Sequence, residues 1–451
     1  MTASFGSAAR QEQAEPSATD ARISAAVDDL EPEVIEAVSA AIRIPSINPR
    51  YPGQIYDEVV GGEGEVARFM AGLYQGSGCE TDVFGVEPGR ENCVGVLRGR
   101  GGGRSLIYNG HIDVVPPGPA EQWTSRDPWS GHVADGKIWG RGACDMKAGV
   151  VAQAFAARAL LSAGVELRGD LILEAVVGEE MMEHELGTTA CIERGYRADA
   201  ALVSEASAPP TALAVTPVTP GVMSFTISVE GKATHTSMRG ETIHAGGYGA
   251  AVGVNAIDKA FIIYSALRHL EEEWGLTKRH PLFRPGHFTI HVGVFVGGPR
   301  TGLVPFFIPD LSTMECIVWY HPDEEPEDVR GEIERQVTVA AEGDAWLRTN
   351  LPRVEWRHHW PASTLDLSHP IVSATCRAHE RASSDQAVIN GFPAVEDATF
   401  LNQGGIPAIS YGPGDLRVAH AIDEHVDIGE LMLATKTYAL LAADWCGAEE
   451  K

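Results

Sequence analysis

Between Ser105 and Gly149 the chain carries residue types suited to metal chemistry. A short apolar run, Leu106-Ile107-Tyr108, reads as a buried strand, and His111 and Asp113 stand at its end. Side chains two apart on extended backbone point the same way. One can bind a borderline metal while the other orients it. Further on, Gly140-Arg141-Gly142 breaks the chain and delivers Asp145 to the start of an Ala-rich helix beginning near Met146. A carboxylate at a strand-to-helix junction, beside a histidine from another strand end, suits a ligand shared by two cations. Taken singly, His111 reads equally well as a satisfied core histidine and Asp145 as a helix N-cap.

Other strand ends repeat the pattern. Leu171 to Val177 is apolar and ends in Gly178-Glu179-Glu180. Adjacent carboxylates there point in different directions, so one can bind metal while the other stays free as a general base. Ala201-Leu202-Val203 runs into Ser204-Glu205, and a Gly-Pro-Gly turn at 412–414 leads to His420. His425 is the less attractive ligand. Cys144, beside Asp145, reads as a small packing residue rather than a nucleophile.

The elements that must position these residues are read from periodicity. Helices are predicted over Asp28–Arg43, with Pro45 as its stop, over Gly64–Gln75, and after Asp145; strands over Thr81–Val86, Asn92–Leu97 and Ser105–Asn109. Their alternation argues an α/β layered domain with a central, mostly parallel sheet and ligands beyond the strands' C-terminal ends. From about Pro217 to Trp360 the texture changes. Strand Val222–Val229, helix Asn255–Trp274, strands His287–Val296 and Leu311–Tyr320, helix Glu325–Ala341 and strand Arg353–His358 succeed one another in a β-α-β-β-α-β order. That is a ferredoxin-like α+β unit, inserted into the first domain. The expected division is a disordered tail over 1–27, a metal-binding domain over 28–216 and 364–451, and an inserted lid and dimerisation unit over 217–363.

Bulk properties exclude several classes. A formal net charge of −27 argues against nucleic acid or an anionic membrane as partner. Seven scattered cysteines with no CxxC pair favour a reducing compartment. The polar N-terminus has no apolar core of a secretory signal, and no run approaches the ~20 apolar residues of a membrane span. A cytoplasmic location is expected. There is no HExxH, no GxSxG and no GxxxxGK[ST].

GHIDVVP, GRGACDMKAG, GEE, a strand ending in Glu205, GKATH and GPG…AHAIDEHV occur in this order. Together they make the chain, after about Asp28, resemble the dinuclear-metal aminoacylase and peptidase superfamily of acetylornithine deacetylase, succinyl-diaminopimelate desuccinylase and glutamate-releasing carboxypeptidases. The resemblance implies that Asp145 bridges two divalent ions, zinc first, manganese or cobalt otherwise. His111 and Glu205 then complete one site, and Glu180 and His420 the other. It further implies that Asp113 supports His111, that Glu179 is the general base, and that His235 reaches the active site of a partner subunit in a homodimer. The implied reaction is deacylation of an N-acyl amino acid or related small amide by a metal-bridged hydroxide.

The chain also departs from its relatives. Gly302-Leu303-Val304-Pro305 lacks an Asn that many carry, and Ile317 stands where many have a substrate-positioning Arg. Arg300 is the candidate replacement clamp, with a solvated loop residue as the alternative. The stretch 391–397 differs from a common Gly-Gly-Thr-Asp form, and Phe392 would make the pocket less polar. An aromatic amide, a carbamoyl compound or an aryl amine therefore stays open as substrate. The rival of another class is a non-catalytic binding protein that kept its metal cage; Glu179 and His235, which metal binding does not need, count against it.

Overall fold

Leu171–Val176, Leu106–His111, Ala200–Val203 and Ala408–Ser410 lie side by side and run parallel in the computed structural model, which describes residues 17–207, 212–302 and 304–450. Every residue of these four strands is buried. The reason is that both faces are covered. Tyr108 donates its hydroxyl hydrogen bond to the carbonyl of Tyr438, while its neighbour Asn109, pointing the other way, donates to Thr188 Oγ1. Tyr438 lies on helix Ile428–Cys446 and Thr188 opens helix Thr188–Glu193. Each fully buried Leu or Ile of such a strand contributes about 1.5–3 kcal/mol.

The sheet has nine strands. Arg90–Leu97 and Glu80–Glu87 extend one side antiparallel; Val215–Thr219 and Ser363–Thr364 extend the other, with Ile389–Gly391 parallel to Val215–Thr219. Register is what builds the site. His111 pairs with Val176, and Asn109 with Val203. The segments that leave these strands, 177–180 and 204–205, therefore emerge on the edge where His111 stands, the carboxyl end of the parallel strands.

A second, wholly antiparallel sheet is ordered Ile290–Gly298, Leu311–Tyr320, Gly221–Glu230, Arg353–Trp360. With helices Ala256–Thr277 and Pro326–Glu342 it forms the expected ferredoxin-like unit. Along Leu311–Tyr320 every second residue from Ser312 is buried, so one face enters a core and the other does not. That core, Phe225, Ile227, Ile263, Leu267, Trp274, Ile333 and neighbours, is separate from the core of the large sheet. A small apolar cluster of Val222, Trp360 and Phe400, with Met182 packed against it, joins elements of both.

Three expectations change. The tail expected over 1–27 is helical over Ala18–Asp29: Ser17 accepts from Asp20 N, and Ile23 and Val27 are fully buried; residues 1–16 lie outside the described residues. The helix expected over 28–43 begins later, at Glu31, with Pro32 in its first turn, and Asp28 and Asp29 end the preceding helix. The helix expected from Met146 begins at Ala148, with Lys147 as its N-cap residue. Asp145 therefore does not cap it.

Glu174 interrupts an otherwise apolar strand. It is fully buried, 2.9 Å from Asn109 Nδ2, and burial pushes its carboxyl up to about 8. The folded value lies above the unfolded one. Its contribution to stability is thus fully present below the unfolded value of 4.5 and is lost as pH rises toward 8. At neutral pH, keeping the proton costs about 3 kcal/mol. Glu174→Gln removes that cost, so the variant's thermal midpoint should exceed the parent's at about pH 7.5 and match it near pH 4.5. A calorimetric gain equal at both pH values would contradict the assignment.

Candidate metal centre

His111 ends its strand with Nδ1 2.9 Å from the backbone carbonyl of Asp113. A carbonyl only accepts, so Nδ1 carries the proton, and the neutral ring keeps a lone pair on Nε2. That Nε2 lies 3.0 Å from Asp145 Oδ1, 3.3 Å from Glu205 Oε1 and 3.8 Å from Glu179 Oε2. The other oxygen of Asp145, Oδ2, lies 3.1 Å from His420 Nε2, which is also 3.1 Å from Glu180 Oε2. Asp145 thus stands between two half-sites, one oxygen toward each. Suitable ligand atoms of His111, Asp145 and Glu180 all fall within 4.8 Å of one another.

Local backbone makes this convergence possible. Asp145 (φ −123°, ψ 94°) and Met146 lie outside helical geometry between the 140–142 glycine turn and the helix at Ala148. Gly178 (φ +91°) turns the chain at the end of its strand, and a Cβ there would meet Glu183 O at 2.7 Å. The tight turn aims Glu179 and Glu180 differently. Glu180 Oε1 accepts from Val115 N, 3.1 Å away, whereas among the described residues the nearest ionic partner of Glu179 is His111 at 3.8 Å. His420 sits in left-handed backbone (φ +59°) with a side chain 51% exposed, at the mouth of an otherwise buried centre.

Asp113 is nearby but does another job than the one expected. Its carboxylate is 3.8 Å from His111 Nδ1 and instead accepts from Gly178 N (3.0 Å), Glu180 N (3.2 Å) and Asn48 Nδ2 (2.9 Å). It orients the Glu179-Glu180 turn, and its backbone, not its side chain, orients His111. Glu424 lies within the AHAIDEHV motif, but the sequence alone gives it no role. Its Oε1 accepts from Cys144 N (2.8 Å) and Asp145 N (3.1 Å), and its Oε2 pairs with buried Arg141. It lies four residues beyond His420, and only the fold brings it under Asp145.

The electrostatics fit a pair of divalent cations. With only side chains in place, burial pushes Glu180 up to about 7 and lifts Glu205 and Glu179 above the carboxylate range, the neighbouring carboxylates adding to it. Burial opposes charge on His420, yet Asp145 and Glu180 raise it to about 11, and Asp145 and Glu205 raise His111 well above its usual value. The acids are short of positive charge and the imidazoles are drafted to supply it. Four carboxylates, Asp145, Glu179, Glu180 and Glu205, would be balanced by two divalent ions, and two imidazoles with three ligating carboxylates suit zinc, manganese or cobalt. Ligands must be deprotonated to bind.

The other expected site residues, three of them from the inserted unit, have partners or surroundings of their own. His235 is exposed, its Nδ1 2.8 Å from Ser237 Oγ. Arg300 pairs with Glu230 at 2.7 Å and reaches Asp310 at 3.6 Å, a solvated ion pair rather than a free clamp. Ile317 is 40% exposed. Phe392 is buried, its N–H donating to Val218 O.

Fold and site together define a metallohydrolase with an inserted α+β unit. The sequence pattern of Peptidase family M20/M25/M40 matches residues 107–444, and the chain belongs to that family. It is 35% identical over 398 residues to the N-formyl-4-amino-5-aminomethyl-2-methylpyrimidine deformylase of Bacillus subtilis (strain 168), covering 86% of this chain and 90% of that protein. It is 25% identical to a probable succinyl-diaminopimelate desuccinylase of Staphylococcus epidermidis, over 80% of this chain and 88% of that one. Human carnosine dipeptidase 1 superposes with a TM-score of 0.71 at 14% identity, over 96% and 99% of the two chains. A dinuclear metal binding peptidase of Bacillus subtilis from the M20 family superposes with a TM-score of 0.61 at 18% identity, over 92% and 98%. The chain is therefore a metal-dependent hydrolase acting on C–N bonds. No described helix is long and apolar enough to cross a membrane.

Proposed function

We propose that this enzyme is a two-metal deacylase that removes a small acyl group, formyl foremost, from an amine borne on an uncharged or heteroaromatic body. The observation carrying the two-metal reading is that His111 and His420 flank the two oxygens of Asp145 at 3.0 and 3.1 Å, with Glu205 3.3 Å from His111 and Glu180 3.1 Å from His420. His111 and Glu205 would hold one ion, Glu180 and His420 the other, and Asp145 both. When bound, such a pair supplies Lewis acidity, acidifying water and polarising the amide carbonyl. Glu179, close by but unpaired, takes the attacking water's proton and passes it to the leaving nitrogen. His235 of the partner subunit donates to the developing oxyanion.

The preference for a substrate body without a carboxylate rests on the resemblance, which implies an Arg in many relatives where this chain has Ile317, and on Arg300 being paired with Glu230 and Asp310. The similarity to a pyrimidine deformylase supports the same choice. Zinc is the expected ion, with manganese or cobalt as alternatives, and the cytoplasm the expected location. We assign the inserted unit, 217–363 by the sequence, as lid and homodimer contact. Its edge strand Ile290–Gly298 leaves Val294 and Val296 exposed, and Phe261 is exposed on the long helix.

The test uses enzyme stripped by chelator and reloaded with zinc, manganese or cobalt. Formate release from N-formyl-4-amino-5-aminomethyl-2-methylpyrimidine should exceed acyl release from N-acetyl and N-succinyl amino acids, and Arg300→Ala should leave kcat/KM within about twofold. Metal-replete protein that releases nothing from this panel would sink the proposal. A tenfold loss in Arg300→Ala would restore the clamp and a carboxylate-bearing substrate.

A further inference from the structure

We infer that Arg90 and Glu183 form a clamp that positions the Glu179-Glu180 turn, and that this clamp sets the affinity of the Glu180–His420 half-site. Arg90 is fully buried at the start of strand Arg90–Leu97. Its Nε and Nη2 grip Glu63 at 2.6 and 2.9 Å, a two-point fork on a carboxylate that is itself buried. Its third nitrogen, Nη1, reaches Glu183 Oε2 at 2.8 Å. Glu183 closes the turn: its N–H donates to Gly178 O at 2.7 Å, and Met182 N donates to Glu179 O at 2.9 Å. On the far side Glu183 pairs with Arg50, which also holds Glu87.

A second branch reaches the same turn. Asn48 Nδ2 lies 3.4 Å from Glu183 Oε2 and 2.9 Å from Asp113 Oδ2, and Asp113 accepts from Gly178 N and Glu180 N. The turn is therefore pinned at both ends, by Asp113 at its entry and by Arg90 through Glu183 at its exit. Among the described residues, none of Arg90, Glu63 and Glu183 makes a hydrogen bond or ion pair with His111, Asp145, Glu205 or His420. A buried guanidinium with three carboxylate-bound nitrogens is rigid, and partners behind a ligand commonly govern metal affinity tenfold to a hundredfold. These are positioning residues. The asymmetry is the testable content, because the His111–Glu205 half-site is built on other strands.

The inference rests on the two-metal reading, so the experiment carries an arm independent of it. Cobalt binding by titration calorimetry, and hydrogen exchange at the amides of 178–183, are compared in the parent, Glu183→Ala and Glu63→Gln. Glu63→Gln keeps a carbonyl acceptor for Arg90 and leaves the Arg90–Glu183 contact in place, so it serves as the control for general destabilisation. In Glu183→Ala one of the two cobalt sites should lose about tenfold or more in affinity while the other stays within about twofold, and amides 178–183 should exchange faster. In Glu63→Gln the melting temperature should fall while both cobalt affinities persist. Unchanged exchange at 178–183 in Glu183→Ala overturns the clamp, as does equal weakening of both sites in the two variants. Should the parent bind no cobalt, the two-metal reading fails, and the exchange arm still decides whether Arg90 and Glu183 hold the turn.

Discussion

Glu179→Gln is expected to lower kcat for amide hydrolysis by roughly 10²–10⁴-fold while the protein keeps its full complement of metal. The two halves of that result come from geometry. Glu180, its neighbour, has one oxygen on Val115 N and the other beside His420, so both its oxygens are already engaged. Glu179 points into the same buried space without such a commitment, 3.8 Å from His111 Nε2. Burial disfavours its charge and lifts its carboxyl, and Glu205 and Glu180 reinforce the lift. A carboxylate lifted above its solvated value is a better proton acceptor. Gln keeps the volume and loses the lone-pair basicity. Metal analysis by mass spectrometry together with stopped-assay kinetics separates the roles. Activity retained with metal retained removes Glu179 as base; activity lost with metal lost makes it a ligand.

His235→Ala subunits mixed with Glu179→Gln subunits should recover activity that neither homodimer has. In a heterodimer, one active site would receive an intact Glu179 from its own chain and an intact His235 from the other. His235 is exposed and lies in a segment flanked by exposed Met238, Phe306 and Phe307, a surface suited to burial against a second copy. One oxyanion donor is worth about 2.7–4 kcal/mol, so His235→Ala alone should cost roughly 10²–10³ in kcat. With random pairing, half the mixed dimers are hetero and each carries one complete site, so recovery should approach a quarter of the parent's rate. Native mass spectrometry verifies the heterodimer. No recovery in confirmed heterodimers places His235 in its own chain's site or outside catalysis altogether.

Much of the centre was legible in the sequence. His111, Asp145, Glu180, Glu205 and His420 each come just after an apolar strand or a glycine turn, and parallel strands deliver their exit segments to one edge. Alternating strands and helices gave the layered sheet, and the change of texture after Pro217 gave the ferredoxin-like order. These are local signals: side-chain period, apolar runs and breakers are written residue by residue.

Tertiary structure decided which neighbours those residues acquire. Asp113 sits two residues from His111, and spacing pointed its carboxylate at the imidazole. The loop from Gly178 to Glu180, 65 or more residues away, offers two unpaired amides that claim it instead. Glu424 supports Asp145 across some 280 residues of chain, and Arg90 reaches Glu183 across 93. No period or motif encodes such pairs, because an unsatisfied amide or a buried guanidinium chooses its partner from whatever the packed strands bring within 3 Å. Arg300 shows the converse: a lone cation in a loop looked available, and Glu230, a strand-end residue 70 positions away, had already taken it.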